Sequence, residues 1–316
     1  MKKLIFLAFV AAFAAKTLAQ DAQTGYNFLR LPVSAHAAAL GGHNITVVED
    51  DASLGFHNPA LLSSVNDKTI GLNFMTYMEG ANTASASFTK ILGSKATLGV
   101  MGQFMSYGKM KEVDENNVIT GEFSAKDIAI SGALAYQLGK NIVGGITARF
   151  INSYIGDYSS LAMTVDLGVN YYDPVREWSI SAVVKNLGGE LDAYDQEYTR
   201  LPLDLQLGVT KRLIGSPLRL SATLVDLNHT SYKFLHHLVA GADIIISPQF
   251  YVAAGYSFRR ASEMKIIASG EEKGSASGAG LSFGGGVLME RFKLNVAYGK
   301  YHVSSHSIIL NASFSL

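Results

Sequence analysis

The final stretch of the chain constrains the fold most. His306, Ile308, Leu310, Ala312, Phe314 and Leu316 alternate with Ser307, Ile309, Asn311, Ser313 and Ser315. Apart from Ile309, one face is apolar and the other polar. A period of two belongs to a strand with two different environments, not to a helix. The preceding segment repeats it, with Phe292, Leu294, Val296 and Tyr298 opposing Arg291, Lys293, Asn295 and Gly299. A strand that ends the chain must still find partners for both edges or leave a row of open hydrogen-bonding groups. A closed barrel gives it one on each side.

Alternation continues upstream. About fourteen such segments fall near 69–78, 82–92, 95–107, 125–137, 141–152, 160–172, 177–186, 202–212, 217–226, 236–246, 249–259, 277–289, 291–301 and 305–316. Each is long enough to cross a hydrocarbon layer at a tilt, which takes roughly 9–11 residues. Leu161, Met163, Val165, Leu167, Val169 and Tyr171 oppose Ala162, Thr164, Asp166, Gly168 and Asn170, which is one of the cleanest cases. Beyond the N-terminus no run of 18 apolar residues occurs, so a membrane-spanning chain of this kind must be a barrel. Connections sort by parity. Those near 93–94, 138–140, 173–176, 213–216, 247–248 and 290 are short. The long ones, 108–124, 153–159, 187–201, 227–235 and 260–276, all lie at the other end. That is the asymmetry of outer-membrane barrels, with short periplasmic turns and long external loops. The expected fold class is therefore all-β, a transmembrane barrel of about 14 antiparallel strands over 69–316. Aromatic residues near strand ends (Phe74 and Tyr77, Phe104 and Tyr107, Tyr171 and Tyr172, Phe250 and Tyr251, Tyr298 and Tyr301) are expected to form interfacial girdles.

Two segments precede the barrel. Lys2 and Lys3, the apolar run Leu4 to Ala15 and the small-residue site Thr17-Leu18-Ala19 make residues 1–19 a signal peptide. Residues 20–68 lack alternation. The Ala-rich Ser34 to Ala39, Gly41-Gly42 and Asn58-Pro59-Ala60, a helix start with Asn capping and Pro at the first position, read as short helical pieces and turns. Many inward candidates on the strands are small, among them Gly71, Ser85, Ala133, Gly145, Ser181, Ser221 and Gly255. They leave room for this N-terminal segment as a plug.

Chemistry is sparse. The 316 residues include no cysteine and carry a formal net charge of zero, which excludes thiolate chemistry and argues against a nucleic-acid partner. His236 and His237 are adjacent on an expected strand and point apart, while His302 and His306 flank a turn and lack further ligands. The Glu49-Asp50-Asp51 trio has no EF-hand spacing and reads as a solvated turn with a capping carboxylate. Gly278-Ala279-Gly280 and Gly284-Gly285-Gly286 have no following Lys-Ser/Thr and signal close backbone packing within a strand. Asp166, Asp204, Asp226 and Asp243 are candidate inward carboxylates, able to line a polar network. No catalytic constellation, cofactor site or metal site is expected, and the chain is read as a non-enzyme.

Several motifs in order carry a resemblance: Phe28-Leu29-Arg30-Leu31-Pro32-Val33-Ser34-Ala35, Ala39-Leu40-Gly41-Gly42, Asn58-Pro59-Ala60-Leu61-Leu62, Val165-Asp166-Leu167-Gly168, Val184-Lys185-Asn186-Leu187-Gly188-Gly189 and Leu201-Pro202. Together they resemble the PorV/PorQ group of the type IX secretion system, a branch of the FadL-like barrels, and its PorQ-like members most. The resemblance implies a fourteen-stranded barrel with an N-terminal hatch to which Gly41, Gly42, Asn58, Pro59 and Ala60 contribute structurally. It implies the outer membrane of a Gram-negative, Bacteroidetes-type bacterium, with loops at the cell surface. It also implies a place in an attachment complex: anchoring a PorZ-like surface protein beside a PorU-like sortase and a PorV-like barrel, and serving cargo attachment to lipopolysaccharide. The alternative is FadL-like transport of hydrophobic small molecules. A secreted β-sandwich adhesin is a third reading.

Overall fold

The computed structural model describes residues 24–78, 80–116, 118–194, 197–264, 278–303 and 305–316. The expected signal peptide, and most of the connection at 260–276, lie outside the described residues.

Fourteen antiparallel strands close into one barrel. They are β1 (Thr69–Thr76), β2 (Asn82–Leu92), β3 (Ala96–Val113), β4 (Ile119–Gln137), β5 (Ile142–Ile155), β6 (Tyr158–Asp173), β7 (Trp178–Asp192), β8 (Asp204–Arg212), β9 (Leu218–Leu224), β10 (Leu238–Ser247), β11 (Phe250–Ser257), β12 (Leu281–Leu288), β13 (Phe292–His302) and β14 (Ser305–Ser315). Closure is made by β1 on β14, with Thr69 opposite Ser315 and Leu72 opposite Ala312. Both barrel termini therefore lie at one end, where every connection is short. At the other, external end lie the helices α1 (Phe234–His237), between β9 and β10, and α2 (Phe258–Glu263), after β11.

Alternation translates directly into two faces. Along β6, Ala162, Thr164, Asp166 and Asn170 are buried, whereas Leu161, Leu167, Val169 and Tyr171 are exposed. Exposed Leu72, Val100, Ile130, Phe150, Ile180, Phe283 and Leu310 continue that apolar outer surface around the wall. Among the described residues no helix is long and apolar enough to cross a membrane, and the strands carry the apolar outer band that a hydrocarbon layer requires.

The structure corrects several local expectations. The connections expected at 108–124 and 153–159 are largely strand: β3 and β4 run on past the rest of the wall and turn at 114–118. Residues 107–113 of β3 no longer face β2, whose pairing stops at Asn82 opposite Ser106, so a two-stranded ribbon stands clear of the barrel. Its polar composition (Lys109, Lys111, Glu112, Glu122) hides strand from any reading that looks for apolar alternation. The girdle expectation holds for Phe74, Phe104, Tyr171 and Phe250, which face outward. Tyr251 and Tyr301 turn inward, because adjacent strand residues point to opposite faces. His236 and His237 sit in α1, not on a strand. Gly278-Ala279-Gly280 forms the turn before β12, not part of it.

Candidate functional site

The chain's own N-terminal residues pack against the inner face of the barrel. Residues 27–30 form a 3₁₀ turn. Helix α3 (Ala35–Ala39) is capped by the Ser34 hydroxyl, which accepts from the Ala37 amide. Two more 3₁₀ turns follow, Ala52–Phe56 and Pro59–Ser64, capped by Asp51 and Asn58. The Asn58 carboxamide accepts from the Ala60 amide at 3.0 Å, the cap expected from Asn-Pro at a helix start. Its amide group donates to the Ile45 carbonyl at 3.0 Å and to Ser181 Oγ on β7 at 3.2 Å. Asp51 is an N-cap as read, yet it is buried, so the acidic trio is not a solvated turn. Its carboxylate accepts from Ser53 Oγ and Ser34 Oγ, Glu49 faces His36, and Asp50 pairs with Lys293.

Glycines in the wall set the seating. A Cβ on Gly145 would lie 2.4 Å from the Ala60 amide nitrogen, and one on Gly168 would lie 2.1 Å from Asn58 Oδ1. On the opposite side, a Cβ on Gly255 would fall 2.1 Å from the Leu40 carbonyl carbon. Such distances leave no room for any side chain. Gly41 and Gly42, both at φ of 104°, turn the chain in a conformation that other residues rarely adopt.

Two charge clusters tie this segment to the strands. In the first, His36 Nδ1 donates to Glu49 Oε1 and its Nε2 to Asp243 Oδ1 of β10, both at 2.6 Å. Arg219 of β9 donates through Nε to the other Asp243 oxygen at 2.8 Å, and the Tyr251 ring stacks on the imidazole with centroids 4.1 Å apart. Burial alone would pull the imidazole pKa down, but the Glu49 and Asp243 carboxylates outweigh it and hold His36 at about 9. The two cations and two anions neutralise one another. In the second, Arg30 Nη1 donates to Asp226 Oδ1 at 2.9 Å, and Arg259 of α2 pairs with the same carboxylate. Asp226, just past β9 with φ of 51°, also donates its amide to Asp204 Oδ1 at 2.6 Å.

All four expected inward carboxylates are buried; Asp204 and Asp226 share one station, while Asp166 and Asp243 each stand in another. Asp166 binds Arg149 Nη2 of β5 at 2.8 Å and accepts from the Asn186 amide at 2.7 Å. The register of β6 on β7 slips here: Val165 faces Leu187 while Leu167 faces Val184, leaving Asp166 opposite a bulge at Lys185-Asn186. Asn186 takes φ of 58°. His302 packs edge-on to Tyr77, and His306 stacks on Tyr298.

The open concavity lies elsewhere, at the external end. A pocket of about 500 Å³ is bounded by Gly25 and Tyr26 at the start of the described chain, Tyr107 and Met110 of β3, Phe123 and Ala125 of β4, and Tyr194. At its polar side Asp127 accepts from the Tyr107 hydroxyl at 2.6 Å and from Ser153 Oγ, while Tyr26 donates to Glu190 Oε1 at 2.7 Å. Sequence reading missed this pocket because it is assembled from three strand ends, a loop and residues 25–26, with no spacing in common.

These features define a class: a closed fourteen-stranded transmembrane outer-membrane β-barrel, with N-terminal residues packed against its inner face. Solved structures similar to it include the CymD monoaromatic hydrocarbon channel (TM-score 0.59, 13% identity, 91% of this chain and 98% of that one). The Pseudomonas putida toluene transporter TodX (0.57, 13%, 90% and 97%) and a Pseudomonas aeruginosa FadL homologue (0.53, 12%, 90% and 99%) are also similar. No family model matches the chain, and no curated protein does.

Proposed function

We propose that the chain is an outer-membrane protein of a Gram-negative bacterium that binds hydrophobic small molecules at its external end and admits them to the membrane. The observation that carries this reading is the external pocket of about 500 Å³, walled by tyrosine, phenylalanine and methionine. Its size and lining suit a small apolar ligand. The N-terminal segment acts as a hatch: it fills the lumen and leaves the pocket, not an axial pore, as the entry point. Support also comes from the fold shared with the CymD and TodX structures, which are named for hydrocarbon and toluene passage. Cells carrying the protein should accumulate a labelled hydrophobic probe such as octanol several-fold faster than cells lacking it. Ala125→Trp, which fills the pocket, should remove the difference. Equal rates with and without the protein would contradict the reading.

A second reading is favoured by one specific feature, the β3–β4 ribbon standing clear of the wall with Val113, Val118 and Ile119 exposed. On this reading the barrel is a non-enzymatic anchor of a type IX attachment complex. It holds a PorZ-like surface protein near a PorU-like sortase and a PorV-like barrel, in a Bacteroidetes-type outer membrane rich in lipopolysaccharide. Deleting the protein should then release the surface partner into the medium; a partner that stays on the cell contradicts it.

A further inference from the structure

We infer that the external pocket selects ligands with a positively charged amine head and an apolar body, and rejects carboxylates. The inference rests on the hydrophobic-ligand reading above and adds the charge of the head group. One carboxylate, Asp127, lines the polar side of the pocket, and a second, Glu190, is bonded to two of the lining residues, Tyr26 and Thr199. Asp127 is only 6% exposed, with one oxygen held by the Tyr107 hydroxyl and the other by Ser153. Glu190 is held by the Tyr26 hydroxyl at 2.7 Å and by the Thr199 amide, also at 2.7 Å. Asp127 is met by two hydroxyls and Glu190 by hydroxyls and an amide, neutral donors that orient each carboxylate without cancelling its charge.

No lysine, arginine or histidine is among the described residues lining this pocket. Lys126 lies over the ring of Tyr154 at 5.1 Å, a ring that belongs to one of the lining residues, and as neighbours on β4 Lys126 and Asp127 point to opposite faces. The contrast with the lumen is direct: there Asp166, Asp226 and Asp243 each have an arginine. The rest of the pocket wall is aromatic and thioether, from Tyr26, Tyr107, Tyr194, Phe123 and Met110. Uncancelled negative charge beside tyrosine rings is the setting that attracts an ammonium, through charge-assisted hydrogen bonding and the ring quadrupoles. A fatty-acid carboxylate placed there would face the like charge of Asp127 at low dielectric. The volume of about 500 Å³ holds a chain or ring of modest size as its apolar body.

The test is a matched series of octylamine, octanol and octanoate titrated at neutral pH against the full chain in zwitterionic lipid nanodiscs, with empty nanodiscs subtracted. Octylamine should bind at least ten-fold more tightly than octanoate, with octanol between them. Asp127→Asn should shrink that ratio several-fold, and Glu190→Gln should do so more weakly. Folding of each variant is checked by heat-modifiable migration. Ala125→Phe should weaken all three together, which places the binding in this pocket. Octanoate binding as tightly as octylamine, or a preference that survives both Asp127→Asn and Glu190→Gln, overturns the inference alone. Binding of none of the three overturns the hydrophobic-ligand reading itself.

Discussion

Individual residues show how the interior is held. Gly255 sits where a side chain would collide with the backbone of Leu40 and Gly41. Gly255→Val should therefore unseat that part of the N-terminal segment at a cost of about 1–3 kcal/mol, typical of overpacking. The measurement is the temperature at which the folded barrel converts to the slow-migrating form on a gel; no shift would contradict the seating. The His36 station gives a pH dependence with a definite sign. Its pKa is raised in the fold to about 9 from about 6.5 in an unfolded chain. The stabilisation is thus complete below about pH 6.5 and is lost as pH rises through about 9. Stability measured from pH 6 to 10 should fall across that window, and His36→Gln should flatten the curve. Glu49 works in the opposite direction, since its pKa is lowered by His36 and Arg219 against the effect of burial; its contribution is lost on acidification. Removing one partner and stranding the others costs more than the pair is worth intact. Asp243→Asn, which leaves His36 and Arg219 with one carboxylate between them, should cost about 3–5 kcal/mol.

At the scale of elements, the sequence announces strands wherever a strand has two different faces. The course of β6 and β14 follows from alternation alone, and so do the short turns between β10 and β11 or β12 and β13. What alternation does not carry is where a strand ends once its composition turns polar. That is why β3 and β4 overrun their expected limits by several residues into a ribbon of lysine and glutamate. Nor does it carry irregular pairing. The bulge at Lys185-Asn186 lies within Val184-Lys185-Asn186-Leu187-Gly188-Gly189, a motif that stands out in the sequence without explaining itself. In the fold its purpose is plain: Asn186 turns back in the left-handed region so that its amide reaches Asp166, while Arg149 closes the triad. Arg149 itself gives no sequence signal, because nothing in its spacing links it to residue 166 or 186. Two predictions belong here. Arg149→Met leaves Asp166 buried without its cation and should destabilise the barrel by about 3–5 kcal/mol, read by the same gel shift. Replacing 109–122 by a short Gly-Asn turn should leave barrel stability within about 1 kcal/mol, because an isolated two-stranded ribbon contributes little to a wall it does not touch. A large loss of stability would show that the ribbon packs on something.

For the whole molecule, the governing relation is between wall and filling. Small inward residues on the ring of fourteen strands meet residues of the N-terminal segment, at glycine seats and at charge clusters. Within the described residues many inward side chains are buried. The external pocket is where the molecule stays open. The most direct test is ion conductance of the purified protein in planar bilayers. A filled lumen predicts no steady conductance above that of bare lipid, with stable current appearing only when residues 24–65 are deleted. Steady current through the intact protein, at the level of a water-filled porin, would contradict the account.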